Sequence, residues 1–161
     1  MFLTQKIYFI GIGGIGMSAI AEILHHKGFK ILGSDKIENN ITDRLKRKGI
    51  KIFHSHKKDN VKDVDIIVHS TAIKKNNIEL LEARRLKVPI YSRAMMLAEV
   101  MRLKPSITVA GSHGKTTTTS LISNIFESAG HDPTVINGGI INNFGANAKL
   151  ANGTFIIAEA G

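Results

Sequence analysis

The stretch ITVAGSHGKTTTT, residues 107–119, constrains this chain more than any other. Ile107, Thr108, Val109 and Ala110 form a short β-prone run. Gly111 and Gly114 then let the backbone turn tightly, so that successive N–H groups point into one concavity. Such a nest binds anions. Lys115 adds a mobile positive charge suited to phosphate, and Thr116 offers a hydroxyl where a phosphate-bound magnesium ion would sit. Residues 116–128 read as a helix with an apolar stripe at Leu121, Ile122, Ile125 and Phe126. Its N-terminus faces the same concavity and favours negative charge. The strict pattern G-x-x-x-x-G-K-[ST] asks for a glycine at Val109, so this loop is a shorter variant. A glycine-rich turn kept for steric reasons is the alternative. Four β-branched threonines in one first turn argue against it. They cost roughly 0.5 kcal/mol each against alanine, and a simple cap needs one hydroxyl only.

A second glycine run opens the chain. Residues 7–10 are strand-like, and Gly11-Ile12-Gly13-Gly14-Ile15-Gly16 satisfies G-x-G-x-x-G. Residues 17–27 read as a helix with Ile20, Ile23 and Leu24 on one face and Gly28 as its stop. A strand over residues 29–32 leads to Gly33-Ser34-Asp35. Asp35 follows Gly16 by 19 residues, where a Rossmann unit places an acid against a ribose hydroxyl. A tight strand–helix crossing that needs glycine for packing is the alternative.

The alternation continues. A helix capped by Asn40 or Thr42 runs to Lys48, and strands fall over residues 50–53, 64–68 and 88–91. Helices fall over residues 79–86 and 94–103, the latter stopped by Pro105. This predicts an α/β fold: a Rossmann-like parallel sheet flanked by helices, followed by the start of a phosphate-loop (P-loop) nucleotide-binding α/β domain. Right-handed crossovers put every strand's carboxyl end on one edge. Gly13, Asp35, Ser70 and Arg93 are therefore expected around one crevice. The boundary is expected at 104/105, with a substrate-binding domain over 1–104 and an incomplete nucleotide domain over 105–161. In the latter, short strands are expected over 134–136 and 154–159, around a Gly- and Asn-rich loop over 137–147.

Composition narrows the chemistry. There is no cysteine, which excludes disulfides, thiol catalysis and Cys-based metal sites. A reducing cytoplasm is compatible. No apolar run reaches about 18 residues, and the start of the chain does not read as a signal peptide. The net charge of +9 suits anionic partners, but a Lys- and Ile-rich composition bias is its main cause. The densest basic stretch, 44–58, has one aromatic residue, Phe53, so a nucleic-acid surface is not expected. The histidines show no metal-ligand spacing.

These segments resemble the Mur ligase family. The resemblance runs from about residue 6 to 160. It rests on GIGGIGMSAIAEIL, GSD, STAI, SRAMMLAEVMR, VAGSHGKTTTTSLI and NGGIINNFGANAKL. It implies that the first glycine loop holds the UDP part of a substrate rather than NAD. Gly13, Gly14, Ser34, Asp35, Ser70, Thr71 and Arg93 would line that site. Gly111, Ser112, His113, Gly114, Lys115, Thr116 and Thr117 would bind ATP. Lys115 would be catalytic, and Thr116 and Glu159 would be the candidate Mg²⁺ ligands. The branch it resembles joins UDP-N-acetylmuramate to L-alanine at the expense of ATP. Three positions depart from the family pattern: Ser112 where threonine is usual, Met95 where glutamate is usual, and Gly161 where the acidic segment would continue. The resemblance implies further missing segments. The 161-residue chain is therefore expected to be inactive alone, with a second region that is looser than the first or covers its exposed face by self-association. A ligase that recycles muramyl peptides is a close alternative, which GGIGMS at residues 13–18 disfavours. An NAD-binding module is a more distant one, and it has no use for AGSHGKTT.

Overall fold

The computed structural model describes residues 5–136, 148–149, 153 and 155–159. Two compact units divide it, Met1–Met96 and Leu97–Gly161.

The first unit is a five-stranded sheet in the order β3-β2-β1-β4-β5, parallel throughout. The strands are β1 (Lys6–Ile10), β2 (Lys30–Ser34), β3 (Lys51–Phe53), β4 (Ile66–His69) and β5 (Ile90–Ser92). Helices α1 (Ile15–His26), α2 (Asn40–Arg47) and α3 (Ile78–Arg85) follow β1, β2 and β4, and a 3-10 turn spans Lys58–Val61. The central strand β1 is buried over Ile7–Ile10. Its side chains alternate between faces. Tyr8 and Ile10 join Val61, Ile67, Leu80 and Ala83 in one cluster, so Ile7 and Phe9 point to the other face. Helices α1 and α2 are tied by Arg44 and Lys48 on Glu22, at 2.8 and 3.5 Å.

Strand order reverses at β1, between its partners β2 and β4. In open parallel sheets, ligands bind outside the carboxyl ends of the strands at such a point. The first glycine loop leaves β1 there.

Helix α4 (Arg93–Leu103) contains the division between the units. The second unit is a sheet in the order β6-β9-β7-β8. It comprises β6 (Ser106–Val109), β7 (Thr134–Ile136), the two-residue β8 (Ala148–Lys149) and β9 (Ile156–Glu159). β6, β9 and β7 run parallel, and β8 is antiparallel to β7. Helix α5 (Lys115–Ser128) follows β6. The expected loop over 137–147 and Thr154 lie outside the described residues.

The apolar stripe expected on α5 is corrected. Thr119 and Ser123 are buried and Ile122 and Phe126 half-buried, whereas Leu121 and Ile125 are 59% and 66% exposed. The spacing 119, 122, 123, 126 is still one helical face. It is rotated because Phe126 packs edge-on to Phe155, with ring centroids 4.9 Å apart, and also meets His131.

Candidate functional site

The first glycine loop is held by three of its own neighbours. Gly11 and Ile12 donate their N–H groups to the Ser34 carbonyl at 2.8 and 3.1 Å. Gly13 donates to Asp35 Oδ2 at 2.8 Å, and Asp35 Oδ1 accepts from Ile37 at 3.0 Å. A Cβ on Gly13 would lie 2.8 Å from Asp35 Oδ2 and 3.0 Å from Thr42 Cγ2. Glycine at 13 is therefore required by the close approach of Asp35 and Thr42. Asn39 caps α2 through a reciprocal box with Thr42, both bonds at 2.9 Å, and its amide reaches the Gly13 carbonyl at 3.4 Å. This corrects the expected cap: Asn39, not Asn40 or Thr42, occupies it.

The other candidates for the first site distribute as follows. Ser70 follows β4, donates its N–H to the Ile10 carbonyl at 3.2 Å and accepts from Ala72 on its hydroxyl. Its Oγ would lie 3.1 Å from a Cβ on Gly11, so Ser70 and the glycine loop do meet. Thr71 is exposed, and Arg93 is half-buried at the first turn of α4. Gly14 is exposed at the N-cap of α1. Ser34 is the exception. It is fully buried, and its hydroxyl donates to Glu79 Oε2 at 2.6 Å. Its side chain stands behind the loop rather than on its surface.

Glu79 is the residue that sequence reasoning missed. It is fully buried at the start of α3. Its carboxylate accepts from Tyr8 Oη at 2.8 Å, Asn60 Nδ2 at 2.7 Å, Ser34 Oγ at 2.6 Å and His56 Nδ1 at 2.7 Å. Burial, with the nearby negative charge of Glu79, pushes the Tyr8 phenol far above its usual range. The one sequence signal was the Asn77 side chain, which caps α3 by accepting from Glu79 and Leu80. That cap fixes where the helix starts, but not that its first acid points inward.

A groove of about 830 Å³ opens beside this cluster. His54 and His56 after β3, Lys36 after β2, and Ile73, Lys74 and Asn77 between β4 and α3 line it. Its lining carries two lysines and two histidines and no carboxylate, which suits an anionic ligand.

In the second unit, Gly114 takes the left-handed conformation, φ 75°, at the N-cap of α5. Lys115 donates from Nζ to the Gly111 carbonyl at 2.7 Å, closing the loop on itself. Gly111, Ser112, His113, Thr116 and Thr117 are exposed around this turn. Glu159 is buried at the end of β9, in register with Val109 at the end of β6, where the loop begins. The loop and Glu159 thus lie at the ends of adjacent parallel strands. Among the described residues, no group of three or more His, Asp or Glu side chains could hold a metal.

Residues 6–105 match the family described as "Mur ligase family, catalytic domain". The UDP-N-acetylmuramate–L-alanine ligase of Rickettsia typhi is 61% identical over 154 residues, 96% of this chain and 31% of that protein. The corresponding ligase of Methylocella silvestris is 55% identical, over 96% of this chain and 33% of its own length. The chain thus spans about a third of the length of these curated relatives. Among solved structures, the UDP-N-acetylmuramate–alanine ligase MurC of Thermotoga maritima superposes with a TM-score of 0.73 at 35% identity, over 96% of this chain and 37% of that one. The UDP-N-acetylmuramate:L-alanyl-γ-D-glutamyl-meso-diaminopimelate ligase of Neisseria meningitides gives 0.72 at 29% identity, over 98% and 53%.

Proposed function

The chain belongs to the Mur ligase family, and from that premise we propose that it is the nucleotide-binding portion of a UDP-N-acetylmuramate–L-alanine ligase of peptidoglycan precursor synthesis. Residues 1–104 take the UDP-sugar, and residues 105–161 begin the ATP-binding domain. One observation carries the reading. The same chain holds two strand–glycine loop–helix sites, one facing a carboxylate, Asp35, and the other a lysine, Lys115. A redox Rossmann protein has no role for the second.

The pyrophosphate of the substrate sits at the first loop and the N-terminus of α1. Asp35 keeps lone pairs free for a ribose hydroxyl after accepting from Gly13 and Ile37. Ser34 supports the loop from behind, and Ser70, Thr71 and Arg93 close the far side. The uridine end extends into the groove lined by Lys36, His54 and His56.

The reaction is amide formation through an acyl phosphate. The muramyl carboxylate attacks the γ-phosphorus of ATP, and ADP leaves. The amine of L-alanine then displaces phosphate and loses a proton. Lys115 exchanges the Gly111 carbonyl for phosphate oxygens and stabilises charge on the transferring group. The N–H groups of the turn at Gly111–Gly114 and the start of α5 receive the remaining phosphates. The hydroxyl of Thr116 and the carboxylate of Glu159 are hard oxygen donors. They fit a Mg²⁺ ion that takes few protein ligands and completes its shell with phosphates and water. When bound, that ion neutralises phosphate charge. A cytoplasmic location fits a reaction that consumes ATP. Among the described residues, no helix is long and apolar enough to cross a membrane.

Thermal shift with UDP-N-acetylmuramate, UDP, Mg-ATP and NAD in parallel tests the proposal. A ligand that binds only the folded chain raises its Tm in proportion to ln(1 + [L]/Kd). Shifts with both uridine ligands and with Mg-ATP, and none with NAD, are expected. A shift with NAD and none with a uridine nucleotide would overturn the proposal.

A further inference from the structure

We propose that Glu79 is a positioning residue of the nucleotide site, acting on the ligand through His56. The inference rests on the reading that the first unit binds a uridine nucleotide. The carboxylate is fully buried, yet among the described residues every group that reaches it is a donor: Tyr8 from β1, Ser34 from β2, His56 and the Lys57 N–H from the segment after β3, and Asn60 from the 3-10 turn. A fold that needed only stability would do as well with the whole cluster apolar, since replacing a complete buried ionic set by well-packed hydrophobic groups is often neutral or stabilising. The network also has an outlet. His56 is the one member that both touches Glu79 and lines the groove.

The chemistry of the contact fixes which ring nitrogen faces the ligand. A carboxylate accepts only, so His56 Nδ1 carries the proton that goes to Glu79 Oε2 at 2.7 Å. Ser34 Oγ lies 3.2 Å from the same nitrogen and sends its own proton to the same carboxylate. Among the described residues, Nε2 of His56 makes no hydrogen bond, and it is the nitrogen left for the groove. His54 also lines the groove, with Nδ1 on the Asp35 carbonyl at 3.1 Å and Nε2 buried 3.4 Å from Glu38 with no hydrogen bond, but it is His56 that the buried carboxylate of Glu79 holds. Lys36 and Lys74 supply charge to the groove but no fixed direction.

The test is a double-mutant cycle on the full chain, read by calorimetric titration with UDP, with Tm measured alongside. Glu79→Gln and His56→Ala are each expected to weaken UDP binding about tenfold. The double variant is expected to bind no more than about twofold worse than His56→Ala alone, because Glu79 acts through a group already removed. A general structural role for Glu79 would make the two losses multiply, to about a hundredfold, and would overturn the proposal. Histidine ¹H–¹⁵N long-range spectra of the ligand-free chain decide the point independently of UDP. His56 protonated at Nδ1, with Nε2-protonated ring appearing in Glu79→Gln, is expected. His56 protonated only at Nε2 in the unaltered chain would overturn the proposal even if UDP binds. A chain that gives the expected spectra but binds no uridine nucleotide would instead overturn the functional reading beneath it.

Discussion

The molecule builds the same device twice and packs it differently. In the first unit, β1, a glycine loop and α1 follow one another; in the second, β6, a glycine loop and α5 do. β1 has a strand on each side and is buried over four of its five residues. Among the described residues β6 pairs with β9 only, and none of its residues is fully buried. Eight residues of α1 are buried, against Thr119 and Ser123 on α5. Local sequence sets the turn in both cases, while the number of flanking strands sets how firmly the turn is held. The latches differ in sign. Asp35 holds the first loop by an N–H, and Lys115 holds the second by a carbonyl. An anionic latch competes with an anionic ligand for the same N–H groups, whereas a lysine that turns from a neutral carbonyl to a phosphate gains a charge partner.

The largest effect that can break this comparison is on stability. Phe9→Ala removes a fully buried ring from β1 and should cost about 3–5 kcal/mol by denaturant melting. Ile125→Ala, on an α5 side chain 66% exposed, should cost less than about 0.5 kcal/mol. Equal losses would mean that the two units are packed alike. Next comes Lys115→Ala in the full-length ligase. Turnover should fall about 10²–10³-fold, as for loss of one transition-state charge contact, while UDP affinity stays within about twofold. Loss of UDP affinity with turnover kept would contradict the assignment of Lys115. Gly13→Val comes third. Its side chain would collide with Asp35 and Thr42, so UDP binding should weaken about tenfold or more, some 1.4 kcal/mol, with Mg-ATP binding unchanged.

Most of the element order could be read from the sequence, because glycine opens the loops after β1 and β6 and glycine or proline closes most helices, at Gly28, Gly49, Pro105 and Gly130. That Gly13 and Asp35 lie around one crevice was expected from the motif's spacing; the hydrogen bond between them was not. Three further features were not legible. Glu79 looks like an ordinary first-turn acid, and only the tertiary fold brings Tyr8, Ser34, His56 and Asn60 to it. Ser34 sits in a segment that points to the ligand, yet the parity of β2 turns its hydroxyl to the core. On α5, hydrophobic periodicity selects Leu121, Ile122, Ile125 and Phe126, but only the Ile122–Phe126 edge of that stripe is covered, with Phe126 against Phe155, while Leu121 and Ile125 stay exposed. Side-chain identity predicts which faces are apolar. It does not predict which of two adjacent faces finds a partner.

The smallest expected effect is acid sensitivity, and it belongs to the first unit. Lys62, Lys6 and Arg85, by hydrogen bonds, hold the carboxyls of Asp59, Asp63 and Glu82 below their usual values. Such a group adds stability above its unfolded pKa and loses it as pH falls through the folded one. Tm should therefore drop by a few degrees at most below about pH 4, and less at high salt. A Tm that rises over the same interval would reverse the sign.

The central claim is that the two loops serve different nucleotides, and amide chemical-shift mapping on the full chain tests it most directly. UDP should perturb Gly11 to Gly16 and Asp35, and Mg-ATP should perturb Gly111 to Thr117, each leaving the other set in place. UDP shifts centred on Lys115, or Mg-ATP shifts centred on Gly13, would contradict it.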